Sequence, residues 1–210
     1  GLRRCAGIGL KGAMIWASPP DDIPYSDSRY DPFWDAAQDL GMPLSLHNGT
    51  YRPKAGESFG NLESIGPAFF TNVDHWVRMS LANMIISGVF ERYPELQVGA
   101  VEHEVLWAAH FLDRIDYNYT QRPRTGDWYT FKEDMLPSDY FHRNVFISFQ
   151  EDAVALRERQ FIGVDNLLWG SDYPHAESTF PRSQQILSDC TEEEKAKIVG
   201  GNTARIYDLG

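Results

Sequence analysis

Five short apolar runs recur along the chain, at residues 12–16, 43–47, 96–101, 144–149 and 166–171, and segments of helical period separate them. The runs are too short for helices and nearly continuous in apolar side chains, as strands covered on both faces must be. Asp31-Pro32 opens a helix that runs to Leu40, with Pro32 in its first turn and Gly41 as its stop. Residues 73–93 predict a long helix closed by Pro94, residues 105 to about 119 another, and 151–161 a further one. Residues 181–189 and 191–199 close the chain as helices, the second with a Thr191-x-x-Glu194 capping box. Residues 48–70 and 121–139 hold Gly and Pro and read as long loops. Strands alternating with helices build βα units around a parallel sheet, so residues 1–210 are expected to form one α/β domain.

Composition narrows the partners. Nineteen Lys and Arg against 30 Asp and Glu give a formal net charge of −11, which argues against a general binder of nucleic acid or anionic membrane. No apolar stretch approaches the roughly 20 residues that span a bilayer. Cys5 and Cys190 lie far apart and outside any Cys-x-x-Cys pair, so two buried free thiols in a cytoplasmic protein are expected ahead of a lone disulfide. The chain starts at Gly1 with no secretory apolar region, which suits a processed chain or a segment of a longer one.

Parallel α/β sheets gather their chemistry at the carboxyl ends of the strands. Those ends here are Trp16-Ala17-Ser18, His47-Asn48-Gly49, Glu102-His103-Glu104, Phe149-Gln150-Glu151 and Ser171-Asp172-Tyr173-Pro174-His175. Half of the six histidines fall there. His47, leaving an apolar strand into an Asn-Gly turn, is either a metal ligand or a histidine hydrogen-bonded at a strand end. Asp172 leaves a buried strand, where an isolated charge needs a metal, a water or a cap to satisfy it. Glu102, His103 and Glu104 alternate faces if the strand continues, so one is a base or proton shuttle, or one points inward and two form salt bridges.

Other patterns are set aside. Gly7-x-Gly9-x-x-Gly12 spells a dinucleotide fingerprint but precedes a strand instead of opening a helix. His75, His110 and His142 are expected to be structural or solvated, and Trp128-Tyr129-Thr130-Phe131 to pack over the surface. Neither a Gly-x-Ser-x-Gly elbow nor a P-loop occurs.

Four motifs follow one another in order: Pro43-Leu44-Ser45-Leu46-His47, Gly88-Val89-Phe90-Glu91-Arg92-Tyr93-Pro94-Glu95-Leu96, Trp169-Gly170-Ser171-Asp172-Tyr173-Pro174-His175 and Gly201-Asn202-Thr203-Ala204-Arg205. Together they resemble the amidohydrolase-2 (amidohydrolase-related) family, the metal-dependent TIM-barrel enzymes akin to aminocarboxymuconate-semialdehyde decarboxylase. The resemblance implies a (β/α)8 barrel, of which this chain covers roughly the C-terminal five βα units. It implies one divalent metal, zinc before manganese, with His47 and Asp172 matching the ligands of the fifth and eighth strands. Asp172 then doubles as base, Glu102 or His103 moves a second proton, and Trp16, Asn48 and His175 line the substrate pocket. Glu102 stands where many members have a catalytic histidine, which favours the broad label of hydrolase or non-oxidative carboxy-lyase acting on a small carboxylated or cyclic substrate. The family's His-x-His pair does not occur in these residues, and two protein ligands fall short of the three or four that a catalytic zinc needs. The pair is expected on preceding sequence; the alternative is a non-catalytic barrel that binds a ligand without metal. A small-molecule substrate is the expected partner, with a homodimer left open.

Overall fold

The computed structural model describes residues 1–51, 67–122 and 130–210. At its centre lie β1 (Ala13–Ser18), β2 (Leu44–Tyr51), β3 (Val98–Val101), β4 (Val145–Phe149) and β5 (Leu167–Trp169). All four pairings are parallel and the spatial order is β1-β2-β3-β4-β5, so sequence neighbours are sheet neighbours. A barrel follows the same progression around its circumference. Here β1 and β5 form the two edges of an open sheet.

Register divides the side chains between two faces. Leu46, Ala100, Ile147 and Leu167 pair across four strands, and with Leu44, Val98 and Val145 they are buried against the helices. The opposite face presents Met14, Ser45, Gly99 and Phe146 in one row, and Trp16, His47 and Val101 in the next. Its lower row is plugged from the chain's end. The Tyr207 ring packs edge-on to Phe146 with centroids 5.8 Å apart, and its hydroxyl lies 3.2 Å from Ser45 Oγ. Gly99 is required beneath this plug, because a Cβ there would sit 2.1 Å from a Phe146 ring carbon.

The strands are tied together where they begin. Asn144 donates from Nδ2 to the carbonyls of Pro94 and Leu96, Asn166 to those of His142 and Val145, and Asn202 to those of Val164 and Leu167. All three asparagines are buried, and each satisfies two backbone acceptors of the loop entering a strand.

Several element boundaries differ from the sequence expectation. The long helix over 73–93 is two helices, His75–Ile86 and Val89–Arg92, because Gly88 between them takes a left-handed φ of 71°. The stretch 151–161 is a 3-10 turn, Ala155–Arg157, followed by the short helix Arg159–Ile162 that ends at Gly163. Ser183–Ile186 is all of the helix expected over 181–189. The loop expected from residue 48 begins later, since β2 runs on to Tyr51, and it ends in the helix Pro67–Thr71; residues 52–66 lie outside the described ones. The helix Pro137–Asn144 replaces the end of the second loop, with Pro137 at its start. Phe131 is buried rather than lying over the surface, 4.8 Å from the Tyr119 ring, whereas Trp128 and Tyr129 fall outside the described residues. The Thr191 capping box is present, its hydroxyl accepting from Glu194 N–H and the Glu194 carboxylate from Thr191 N–H. Cys5 and Cys190 are free thiols, but only Cys190 is buried; Cys5 is half-buried. No helix among the described residues is long and apolar enough to cross a membrane.

Candidate active site

Side chains at the carboxyl ends of the strands form two contact groups, His47 with Glu102 and Asp172 with Gln150 and His175. Trp16 and His47 are register partners on β1 and β2, so their side chains share the face opposite the helices. Tyr25 holds the end of β1 by donating to the Trp16 carbonyl at 2.6 Å, and Ser80 does the same at Ala17 at 2.7 Å. Just above His47, Gly49 adopts a φ of 74° that lets β2 turn, and Thr50 donates back to the His47 carbonyl.

The tautomer of His47 follows from its contacts. Nδ1 lies 2.7 Å from the Asn48 carbonyl oxygen and must bear a hydrogen there, because a carbonyl only accepts. In the neutral ring Nε2 therefore presents its lone pair, and Glu102 Oε1 stands 3.1 Å from it. A lone pair facing a carboxylate is favourable only with a cation or proton between or beside them. Both side chains are one-third exposed and so open to a ligand. Asn48 contributes its backbone carbonyl to this arrangement.

Beyond β3 the pleat ends, and the alternation of faces ends with it. Glu102 and Glu104 have φ of 61° and 52°, and a Ser148 hydroxyl accepts the Glu102 N–H at 3.1 Å. His103 is thereby turned away from the cluster. It is 2% exposed, with Nδ1 2.9 Å from the Val73 carbonyl oxygen and Nε2 3.2 Å from that of Leu46. Burial holds its imidazole below the ordinary histidine range, against the opposite pull of the two carbonyls. Of the Glu102–His103 pair, the structure brings Glu102 to His47 and leaves His103 as a buried tie between chain segments.

Asp172 follows β5 with a φ of 55°, a conformation that Asp tolerates better than most residues. Its Oδ2 receives Gln150 Nε2 at 3.2 Å and lies 3.1 Å from His175 Nδ1. Both contacts fall on one oxygen, which among the described residues leaves Oδ1 for a ligand. His175 is the most exposed member, and its N–H also closes a turn onto the Asp172 carbonyl at 2.7 Å.

Two further side chains belong to this region: Gln150, which sequence reasoning did not select, and Glu104, which it weighed beside Glu102 and His103. Gln150 stands one residue past β4, where position alone could have flagged it. Glu104 accepts the Gln150 N–H on Oε1 at 3.3 Å, while its Oε2 is buried with no hydrogen-bond partner among the described residues. Burial foremost, with the Asp152 and Glu177 carboxylates nearby, lifts the Glu104 pKa to about 7. Its folded value therefore exceeds the ordinary 4.5, and the native state keeps a proton that the unfolded chain releases. Stability on this account falls as pH rises from about 4.5 to about 7 and is level above. Glu104→Gln, which imitates the protonated group, should remove that slope and raise stability at pH 8 by on the order of 1–2 kcal/mol after allowance for partial exposure. Melting curves at pH 5 and pH 8 read this directly, and an unchanged slope in the variant would show that Glu104 is not its source.

His47 and Asp172 offer an imidazole nitrogen and a carboxylate oxygen, donors that suit zinc and manganese alike. No group of three or more His, Cys, Asp or Glu able to hold a metal forms among the described residues. The two donors fit part of a metal site, not the whole of one.

The amidohydrolase family pattern matches residues 2–209. The chain belongs to the amidohydrolase family. Gamma-resorcylate decarboxylase of Polaromonas sp. strain JS666 is 26% identical to this chain over 99% of its length. The crystal structure of 5-carboxyvanillate decarboxylase from Sphingomonas paucimobilis superposes with a TM-score of 0.79 at 28% identity over 100% of the chain. The dihydroxybenzoic acid decarboxylase of Polaromonas sp. JS666, solved with bound manganese and the inhibitor 2-nitroresorcinol, gives 0.74 at 21% identity over 99% of the chain. The chain spans 65%, 62% and 64% of these three proteins. The fold is accordingly the α/β architecture of the amidohydrolases, in the form of a partial barrel with a five-stranded parallel sheet.

Proposed function

We propose that this chain is the C-terminal part of a barrel enzyme that uses one divalent metal to remove carbon dioxide from a small aromatic or cyclic carboxylate. The reading rests on one observation above all: His47 has a tautomer that bares Nε2, and Asp172 is held by a single oxygen at another strand end of the same sheet. Relatives named as decarboxylases, one of them holding manganese, favour carboxy-lyase over hydrolase chemistry. In this reading His47 and Asp172 would hold the metal, and a His-x-His pair on preceding sequence would complete it, in keeping with the 65% of the relative's length that the chain spans.

When bound, such a metal supplies positive charge that polarises a substrate oxygen or lowers the pKa of a water. Asp172, besides holding the metal, would take the proton of a substrate hydroxyl. Glu102, not the buried His103, conveys a proton from Oε1 to the carbon that bears the carboxylate. The new C–H bond replaces the C–C bond, carbon dioxide departs, and no oxidant or reductant is needed. Trp16, Asn48 and His175 form the walls. A homodimer in the cytoplasm belongs to the same reading.

The test uses the full-length barrel with manganese or zinc, a panel of hydroxybenzoates, and lactones as a contrast. Carbon dioxide release that is lost on chelation and restored by metal supports the reading. Hydrolysis of the lactones without carbon dioxide release overturns it in favour of a hydrolase. A well-folded protein that takes up no stoichiometric metal overturns the enzyme altogether and leaves a ligand-binding barrel.

A further inference from the structure

Asp172 can serve a metal or a substrate only if its carboxylate is kept in one rotation, with one oxygen occupied and the other presented. A lone exposed aspartate at the end of a short strand has no such restraint, since it rotates among staggered positions and hydrogen-bonds to water. The side chain that touches Asp172 from a neighbouring strand end is Gln150, whose Nε2 reaches Oδ2 at 3.2 Å. Gln150 can do this reproducibly because its own backbone is fixed on both sides. Its N–H is given to Glu104 Oε1 at 3.3 Å, and its carbonyl accepts Trp169 Nε1–H at 3.0 Å. Glu104 follows β3 and Trp169 ends β5, so three strand ends meet at this one residue.

We propose that Gln150 is a positioning residue that locks the Asp172 carboxylate, occupying Oδ2 so that Oδ1 faces the ligand, with Glu104 and Trp169 as the brackets that hold Gln150 in place. An amide suits the task for two reasons. Its NH2 group only donates, so it binds the ionised carboxylate and cannot compete for a cation. Being neutral, it leaves the charge of Asp172 undiminished. His175 reaches the same oxygen but is 64% exposed on its side chain, so water can replace it; the Gln150 contact is the sheltered one. The proposal rests on the metal reading above, and two independent measurements separate the fate of the two.

The first measurement is calorimetric titration of the metal-free full-length protein with Mn²⁺. Gln150→Met, nearly equal in volume and lacking the donor, should weaken binding by roughly 10–100-fold, the range found when a partner of a metal ligand is removed. Its melting temperature should stay close to that of the parent, as the amide touches little else. Gln150→His, which keeps an N–H at similar reach, should recover most of the affinity, and a purely structural role would not be rescued in that way. Gln150→Met binding Mn²⁺ as tightly as the parent overturns the proposal. The second measurement is the crystal structure of Gln150→Met, in which the Asp172 carboxylate should turn from its parental rotation. If the parent itself takes up no Mn²⁺, it is the metal reading that fails. The rotation of Asp172 in the variant then decides on Gln150 alone, an unmoved carboxylate being the result that overturns it.

Discussion

Asp172→Asn yields a folded protein that has lost turnover and metal uptake together. Asn fits the site almost atom for atom and accepts the φ of 55° as readily as Asp, so the fold has no cause to fail. The electrostatics change more. The amide oxygen of Asn can satisfy Gln150 Nε2, which turns the amide NH2 toward the position that Oδ1 held. A donor then points where a cation is to bind, and the negative charge that attracted it is gone. Loss of a direct ligand costs several kcal/mol, so kcat/KM should drop at least on the order of 10³-fold. Metal analysis and circular dichroism of the same sample separate the cause: metal absent and spectrum unchanged is the expected pair. Turnover at the parental rate would remove Asp172 from the mechanism.

Gly99→Ala is the second large effect, and it falls on stability. The added methyl would stand 2.1, 2.3 and 2.8 Å from three ring carbons of Phe146, distances no Cβ sustains. The strand cannot retreat, because Gly99 is paired on one side with Ser45 and on the other with Phe146 itself. The ring cannot swing freely either, packed as it is against Tyr207 and 1% exposed. Overpacking of this kind costs about 2–3 kcal/mol, which in a chain of this size lowers the melting temperature by roughly 4–10 °C. Adding Phe146→Leu should return part of the loss, since the smaller side chain vacates the space the methyl needs. The two substitutions together would then be less harmful than the sum of each. A melting temperature within 2 °C of the parent for Gly99→Ala would mean that the floor is not packed in this manner.

Much of the architecture could be read from the residues. Each strand run is mostly apolar, and the sheet order follows once consecutive βα units are recognised. His47 and Asp172 were visible for the same reason, as polar groups standing where an apolar run stops. What could not be read begins one residue further on. Glu102 and Glu104 take positive φ after β3, so the two-residue period that assigns faces no longer applies there, and His103 ends buried between Val73 and Leu46. Gln150 is marked only by its position at a strand end, because an amide there is chemically bland until its neighbour is known to be Asp172. The break at Gly88 is a matter of competition. Periodicity runs through residues 73–93 unbroken, and a single left-handed glycine overrides it. The short segments near 155–162 have too few turns to register a period at all.

The asparagine ties deserve a last consequence. Asn144, Asn166 and Asn202 each pin the start of a strand, and every residue assigned a chemical part stands toward or past a strand's other end. The two rims of the sheet are thus insulated from one another. Loops on the upper rim can be lengthened, exchanged or rewritten for a new substrate while the lower rim keeps the strands in step. Damage below has another signature: Asn→Ala at any of the three would leave two carbonyls without their donor and remove no side chain of the site. A chain built in this way can change its trade without losing its footing.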